Sequence, residues 1–250
     1  MQDVNASQSK SGSTTTKRKT IYLILVGVIL LAIPLFFIFR PNKSNKKDNV
    51  KDLAALEKEV EKEPSYENLI NLSVIYVNNK QSDRAIPLLK KALLFDPQGA
   101  VAYNNLGVAY IEQKHYKLAI DACKKALELD GNLSLAANNL KWALDEQRDV
   151  LDDISKIESD SGKGKDASYY TNLSLNYYRL GNYDKSLQLC EEGLLRNKRN
   201  ISLMNNKGAN LVMTRRFDEA MRMFDSALNA DPSNQLTKNN IIWAKTKQME

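Results

Sequence analysis

Apolar and polar positions along the chain fall into three regimes. Residues 1–20 are rich in Ser, Thr and Lys and show no apolar period, which predicts a disordered polar tail. Ile21 to Phe39 (IYLILVGVILLAIPLFFIF) is a run of 19 residues without a charge. As a helix it would be about 28 Å long, close to the hydrocarbon thickness of a bilayer. Lys17, Arg18 and Lys19 bound it on one side and Arg40 on the other. Tyr22 stands where an amphipathic ring suits an interface, and Pro34 is a kink that a spanning helix tolerates. The run predicts one transmembrane helix. As a cleaved signal its apolar core would be unusually long, and FFIFRPN offers no small-x-small cleavage pattern. Residues 40–51 form a polar linker, and from Asp52 onward apolar residues recur at helical spacing with short polar breaks.

That last regime repeats itself. When residues 66–99 are set over 100–133, Leu72 falls on Leu106, Tyr76 on Tyr110, Ala85 on Ala119, Ala92 on Ala126 and Asp96 on Asp130, a period of 34. A shift of 101 brings NLSVIY at 71–76 onto NLSLNY at 172–177, Gly107 onto Gly208 and Ala126 onto Ala227. The same shift brings Trp142 onto Trp243 and Leu53 and Leu56 onto Ile154 and Ile157. The whole unit is therefore duplicated.

Each recurring position has a mechanical meaning. Ala85, Ala119, Ser186 and Ala220 are small enough for the second helix of a pair to approach the first. Ala92, Ala126, Gly193 and Ala227 do the same one face further on. Tyr76, Tyr110, Tyr177 and Phe224 fill the space between helices. Pro97 and Pro232, each after an Asp, end second helices, while Gly181 and the residues 78–81 lie in turns. The pattern resembles the tetratricopeptide repeat family, best over 100–133, where Tyr103, Leu106, Gly107, Tyr110, Ala119 and Ala126 stand at its characteristic positions. Ser73 and Ser174 replace the family's usual Gly, and Lys207 an apolar residue.

The resemblance implies an all-α solenoid of helix-turn-helix repeats. Its expected parts are a module over 52–150 (repeats 66–99 and 100–133, capping helix 134–147) and a second over 167–250 (repeats 167–200 and 201–234, capping helix 235–248). Asp153 and Asp160 occupy slots that suit small apolar residues, and SDSGKGKD follows at 159–166. Residues 151–166 thus read as a flexible linker or a degenerate helix, which leaves open one continuous superhelix.

Composition narrows the function. The net charge is +6, and residues 1–50 account for all of it, with eight Lys/Arg against Asp3 and Asp48. The remainder is neutral, so the basic excess belongs to the membrane surface and not to a nucleic-acid footprint. The basic residues flanking the span are nearly balanced; the Lys17-Arg18-Lys19 cluster favours a cytoplasmic tail and a large domain on the extracytoplasmic side. Cys123 and Cys190 fall on separate core helices and read as small buried hydrophobes. The single histidine, His115, reads as a solvated turn residue. No metal-ligand spacing, nucleophile elbow or phosphate loop is present, Ser161-Gly162-Lys163-Gly164-Lys165 included. The reading is a binding protein rather than an enzyme, with no cofactor or metal.

Asparagine carries the binding expectation. Asn71, Asn105 and Asn139 recur at a spacing of 34, and Asn172, Asn206 and Asn240 repeat them 101 residues later. In families of this fold that position of the first helix faces the concave groove. A carboxamide there donates and accepts together, so it can grip the backbone of a peptide. Asn104, Asn138, Asn205 and Asn239 stand one position earlier and widen the strip. The competing reading is that these amides hold neighbouring helices together. Val108, Trp142, Ala209 and Trp243, beside Val74 and Leu175, make the flanking positions apolar, which suits a partly apolar segment or an amphipathic helix. The tryptophans can also serve simply to pack the caps. The sequence therefore predicts a membrane-tethered adaptor that holds a polypeptide, with a self-assembling membrane component or an anchored import or chaperone receptor as alternatives.

Overall fold

The computed structural model describes residues 46–160 and 164–249. The transmembrane segment and the tail expected over 1–39 lie outside them. Among the described residues no helix is long and apolar enough to cross a membrane. The described elements are α1 (Lys46–Lys62), α2 (Tyr66–Asn78), α3 (Ser82–Phe95), α4 (Ala100–Glu112), α5 (Tyr116–Leu129), α6 (Ser134–Ser159), α7 (Ala167–Arg179), α8 (Tyr183–Arg196), α9 (Ile201–Met213), α10 (Phe217–Ala230) and α11 (Gln235–Met249). The linker expected over 40–51 is thus helical from Lys46. Residues 53–250 form one compact unit, and every repeat lies in it.

Four helix pairs, α2/α3, α4/α5, α7/α8 and α9/α10, are built alike because their turns are. Lys80, Lys114, Gly181 and Arg215 occupy equivalent turn positions, and all four are left-handed, with φ of 61°, 60°, 73° and 59°. In each turn the next residue's N–H reaches back to the same carbonyl: Gln81 to Tyr76, His115 to Tyr110, Asn182 to Tyr177 and Arg216 to Leu211. This is the two-bond cap that ends a helix through a left-handed residue. The second helices end together as well. Asp96, Asp130, Asn197 and Asp231 each accept, through Oδ1, the backbone N–H two residues on, which closes the loop into the next repeat.

The small residues sit where the pattern placed them. Ala85, Ala119, Ser186 and Ala220 are fully buried, as are Ala92, Ala126 and Ala227. Gly208 shows how close the helices come: a Cβ on it would lie 2.3 Å from Phe224 Cε1, and Phe224 is itself fully buried. Where the glycine is replaced, the serine hydroxyl is absorbed locally, Ser73 donating to the Ile70 carbonyl at 2.6 Å and Ser174 to the Thr171 carbonyl at 3.0 Å.

The stretch between the halves differs from a flexible joint. α6 runs unbroken for 26 residues, about 39 Å. Its first half caps the α4/α5 pair. Its second half buries Val150 and Ile154 against Tyr170 and Leu173 of α7. Duplication explains this: the second half of α6 stands to α7 as α1 stands to α2. Glu57 on α1 accepts the Tyr76 hydroxyl, and Glu158 on α6 accepts the Tyr177 hydroxyl at 3.2 Å. One helix thus serves as the end of the first half and the beginning of the second, and the carboxylates that argued against it, Asp153 among them, face solvent.

Candidate peptide-binding groove

Helix order fixes which surface is available. First helices touch the first helices of their neighbours, α2 with α4, α4 with α6, α7 with α9 and α9 with α11, while second helices make no comparable contact with one another among the described residues. The first helices therefore line the inner, more tightly curved side, and their exposed residues form its floor.

The predicted asparagines divide on this floor. Asn104 and Asn205 are buried, at 5% and 3% exposure, between adjacent first helices. Asn139 Nδ2 donates to Asn104 Oδ1 at 2.9 Å, and Asn104 Nδ2 to Asn105 Oδ1 at 3.1 Å. In the second half Asn240 Nδ2 donates to Asn205 Oδ1 at 3.3 Å, and Asn205 Nδ2 to Thr237 Oγ1 at 2.9 Å. Asn206 Nδ2 reaches the Thr171 carbonyl and Ser174 Oγ at 3.2 and 3.0 Å. These amides tie α4 to α6, α7 to α9 and α9 to α11. Asn71 and Asn172, on the opening helix of each half, are exposed, as are Asn138 and Asn239. Asn239 Oδ1 accepts from Gln235 at 2.9 Å.

The apolar positions lie on the same floor. Val74, Val108, Leu175 and Ala209 are half-buried. The tryptophans, equivalent by duplication, are not equivalent in setting. Trp142 is 44% exposed and borders an open cleft of about 270 Å³ with Lys80, Ser82, Asp83, Glu112 and Gln113. Trp243 is half-buried beside a pocket of about 60 Å³, whose other walls include Ile86, Pro87, Tyr110, His115 and Leu118 of the first half. The first half therefore leans on the Trp243 end of the second.

That contact corrects the expectation for His115. It is not a solvated turn residue: its ring packs edge-on against Tyr178 at 5.3 Å and lies 6.4 Å from Tyr110. Burial, with the Lys247 ammonium as a smaller cause, holds its pKa down at about 4. Tyr178 came to notice in no motif, because its partner lies in the other half. Burial likewise raises the Cys123 and Cys190 thiols to about 11, so both stay protonated packing groups. Cys123 Sγ packs so close to Gly107 that a Cβ there would be 2.4 Å away.

Paired antiparallel helices stacked at a fixed period, with a continuous inner face, define a helical solenoid. Residues 66–98, 100–133 and 167–200 each match the tetratricopeptide repeat family, and the chain is a tetratricopeptide repeat protein. Proteins of this family generally mediate protein–protein interactions. The chain is similar to YrrB, a TPR protein described as having an unusual peptide-binding site, at 20% identity over 75% of this chain and 97% of that one, with a TM-score of 0.36. It is also similar to MamA, at 23% identity over 76% and 95% with a TM-score of 0.33. A third similar structure is pilF of Pseudomonas aeruginosa, at 22% identity over 73% and 88% with a TM-score of 0.32. No curated protein matches the chain.

Proposed function

We propose that the protein is a membrane-tethered adaptor whose inner face holds a segment of a partner polypeptide. The observation that carries this reading is the exposed indole of Trp142 on a first-helix floor that also presents Val74, Val108 and Asn71. A large aromatic left in solvent beside half-buried aliphatics is the composition of a peptide anchor point. The tether rests on the 19-residue apolar run at 21–39 with its basic flanks. The cluster at Lys17, Arg18 and Lys19 supports a cytoplasmic tail and an extracytoplasmic repeat domain. The asparagines serve both readings weighed from sequence: Asn104 and Asn205 support the stack, and Asn71, Asn138, Asn172 and Asn239 supply amides to a ligand. Asn105, Asn139, Asn206 and Asn240 are half-buried and have both roles.

The test is affinity capture from crosslinked membranes with the full chain beside a Trp142→Ala, Val108→Gln variant. Loss of the captured partner with unchanged helical circular dichroism supports the groove; an unchanged partner set refutes it. Protease accessibility in intact cells tests the orientation, since an extracytoplasmic domain is cleaved without permeabilisation.

A second reading has its own observation. Leu94, Phe95, Val101 and Leu135 are exposed apolar residues at the ends where second helices lead into first ones. Such residues suit self-association, and concentration-dependent light scattering of the full chain would reveal it.

A further inference from the structure

Duplication lets the two tryptophan clefts be compared position by position. Trp142 answers to Trp243, and the groups around it change character between the halves. Glu112 is replaced by Met213, Glu146 by Lys247, Ser82 by Tyr183 and Lys80 by Gly181. In the second half the resulting apolar cleft meets Ile86, Pro87 and His115 of the same chain. In the first half the cleft is open, and it is acidic.

Its acidic groups are fixed in place. Glu146 accepts from Trp142 Nε1 at 3.2 Å and from the Tyr116 hydroxyl at 3.0 Å, so the carboxylate is held at the edge of the indole. The Glu112 side chain, only 11% exposed, accepts from Ser82 Oγ at 2.5 Å and pairs with Lys80. Asp83 adds a third carboxylate at the rim. Three carboxylates stand around the cleft, and the one ammonium in its lining, Lys80, belongs to an 82% exposed side chain, a weak and replaceable partner; Lys247 lies in the adjoining pocket, which shares Asp83.

The geometry points to a cleft at Trp142 that takes an arginine or lysine side chain of the partner polypeptide. The cation lies on the indole face and exchanges with Lys80 for Glu112. Each chain then holds one such ligand despite the duplicated sequence, because the Trp243 cleft already faces the first half. This deepens the proposed groove and rests on it.

The chain has two tryptophans, so a Trp243→Phe variant of the full chain in detergent reports Trp142 fluorescence alone. It is titrated with octaarginine, octaglutamate and a neutral serine–leucine octapeptide, at low and high salt. The inference expects a saturable change with octaarginine, weakened by salt, and none with the other two peptides. Asp83→Asn with Glu112→Gln should weaken the midpoint roughly tenfold, as expected for lost charge-assisted contacts. Lys80→Ala should tighten it, a gain that misfolding cannot imitate. A response to the acidic or neutral peptide overturns the basic class and leaves groove binding standing. A response to none overturns both at Trp142. An octaarginine response untouched by the three substitutions overturns this cleft as the site.

Discussion

Asn205 offers the sharpest check on how the inner face divides between architecture and binding. Its amide is 3% exposed, donates to Thr237 Oγ1 at 2.9 Å and accepts from Asn240 Nδ2 at 3.3 Å. Asn205→Ala removes both bonds, at about 1 kcal/mol each, and strands part of a buried hydroxyl. Alanine returns about 0.6 kcal/mol of helix propensity. The net loss is therefore about 1–2 kcal/mol. For a domain of this size that lowers Tm by about 2–8 °C. Asn71→Ala is the matched control: the side chain is exposed, and only the propensity gain remains, so Tm should stay or rise slightly. Thermal melts followed by far-ultraviolet circular dichroism on both variants decide it. Equal melting of Asn205→Ala and the parent protein, or a loss in Asn71→Ala as large as that expected for Asn205, would refute the division.

Three further outcomes are expected of the same structure. Lys80→Gly, Lys114→Gly and Arg215→Gly each remove a left-handed strain of about 1 kcal/mol and should raise the urea midpoint, whereas Gly181→Ala should lower it, its Cβ falling 3.0 Å from Lys117 Cβ. Gly208→Ala should destabilise by about 1–3 kcal/mol through overpacking on Phe224, and a Gly208→Ala, Phe224→Leu double variant should recover part of that loss. His115 has a folded pKa near 4 against an ordinary value of 6.5, so its contribution is intact above 6.5 and is lost as pH falls from there towards 4. His115→Gln should flatten the stability profile across that window in pH-dependent denaturant melts.

The repeat architecture was legible because the constraints that make it are local. A helix pair needs a small residue at one phase and a bulky one at another, and Ala85, Ala119, Ala220 and Phe224 announce that without reference to anything distant. The continuity of α6 was harder to read. Asp153 and Asp160 fill slots that would be small in a further repeat, but the helix does not form a further repeat. It needs only Val150 and Ile154 buried, and the alignment of Leu53 with Ile154 was the trace of that in the sequence. The asparagine phase was plain, yet an amide's role depends on the neighbouring helix. Asn104 meets Asn139, while Asn71, opening its half, has no preceding first helix to meet. His115 and the unequal settings of Trp142 and Trp243 were beyond the sequence, since both come from the halves packing on one another, and duplication describes each half only by itself.

The proposed groove places a partner polypeptide on the inner face of the first half. The most direct measurement places a photocrosslinking amino acid at Asn71, Val108 and Trp142 on that face, and at Lys124 and Arg222 on exposed second-helix positions, in full-length protein in its own membranes. The account predicts one shared polypeptide adduct at the three inner positions and none at the outer two. Adducts confined to Lys124 or Arg222, with the inner positions silent, would contradict it.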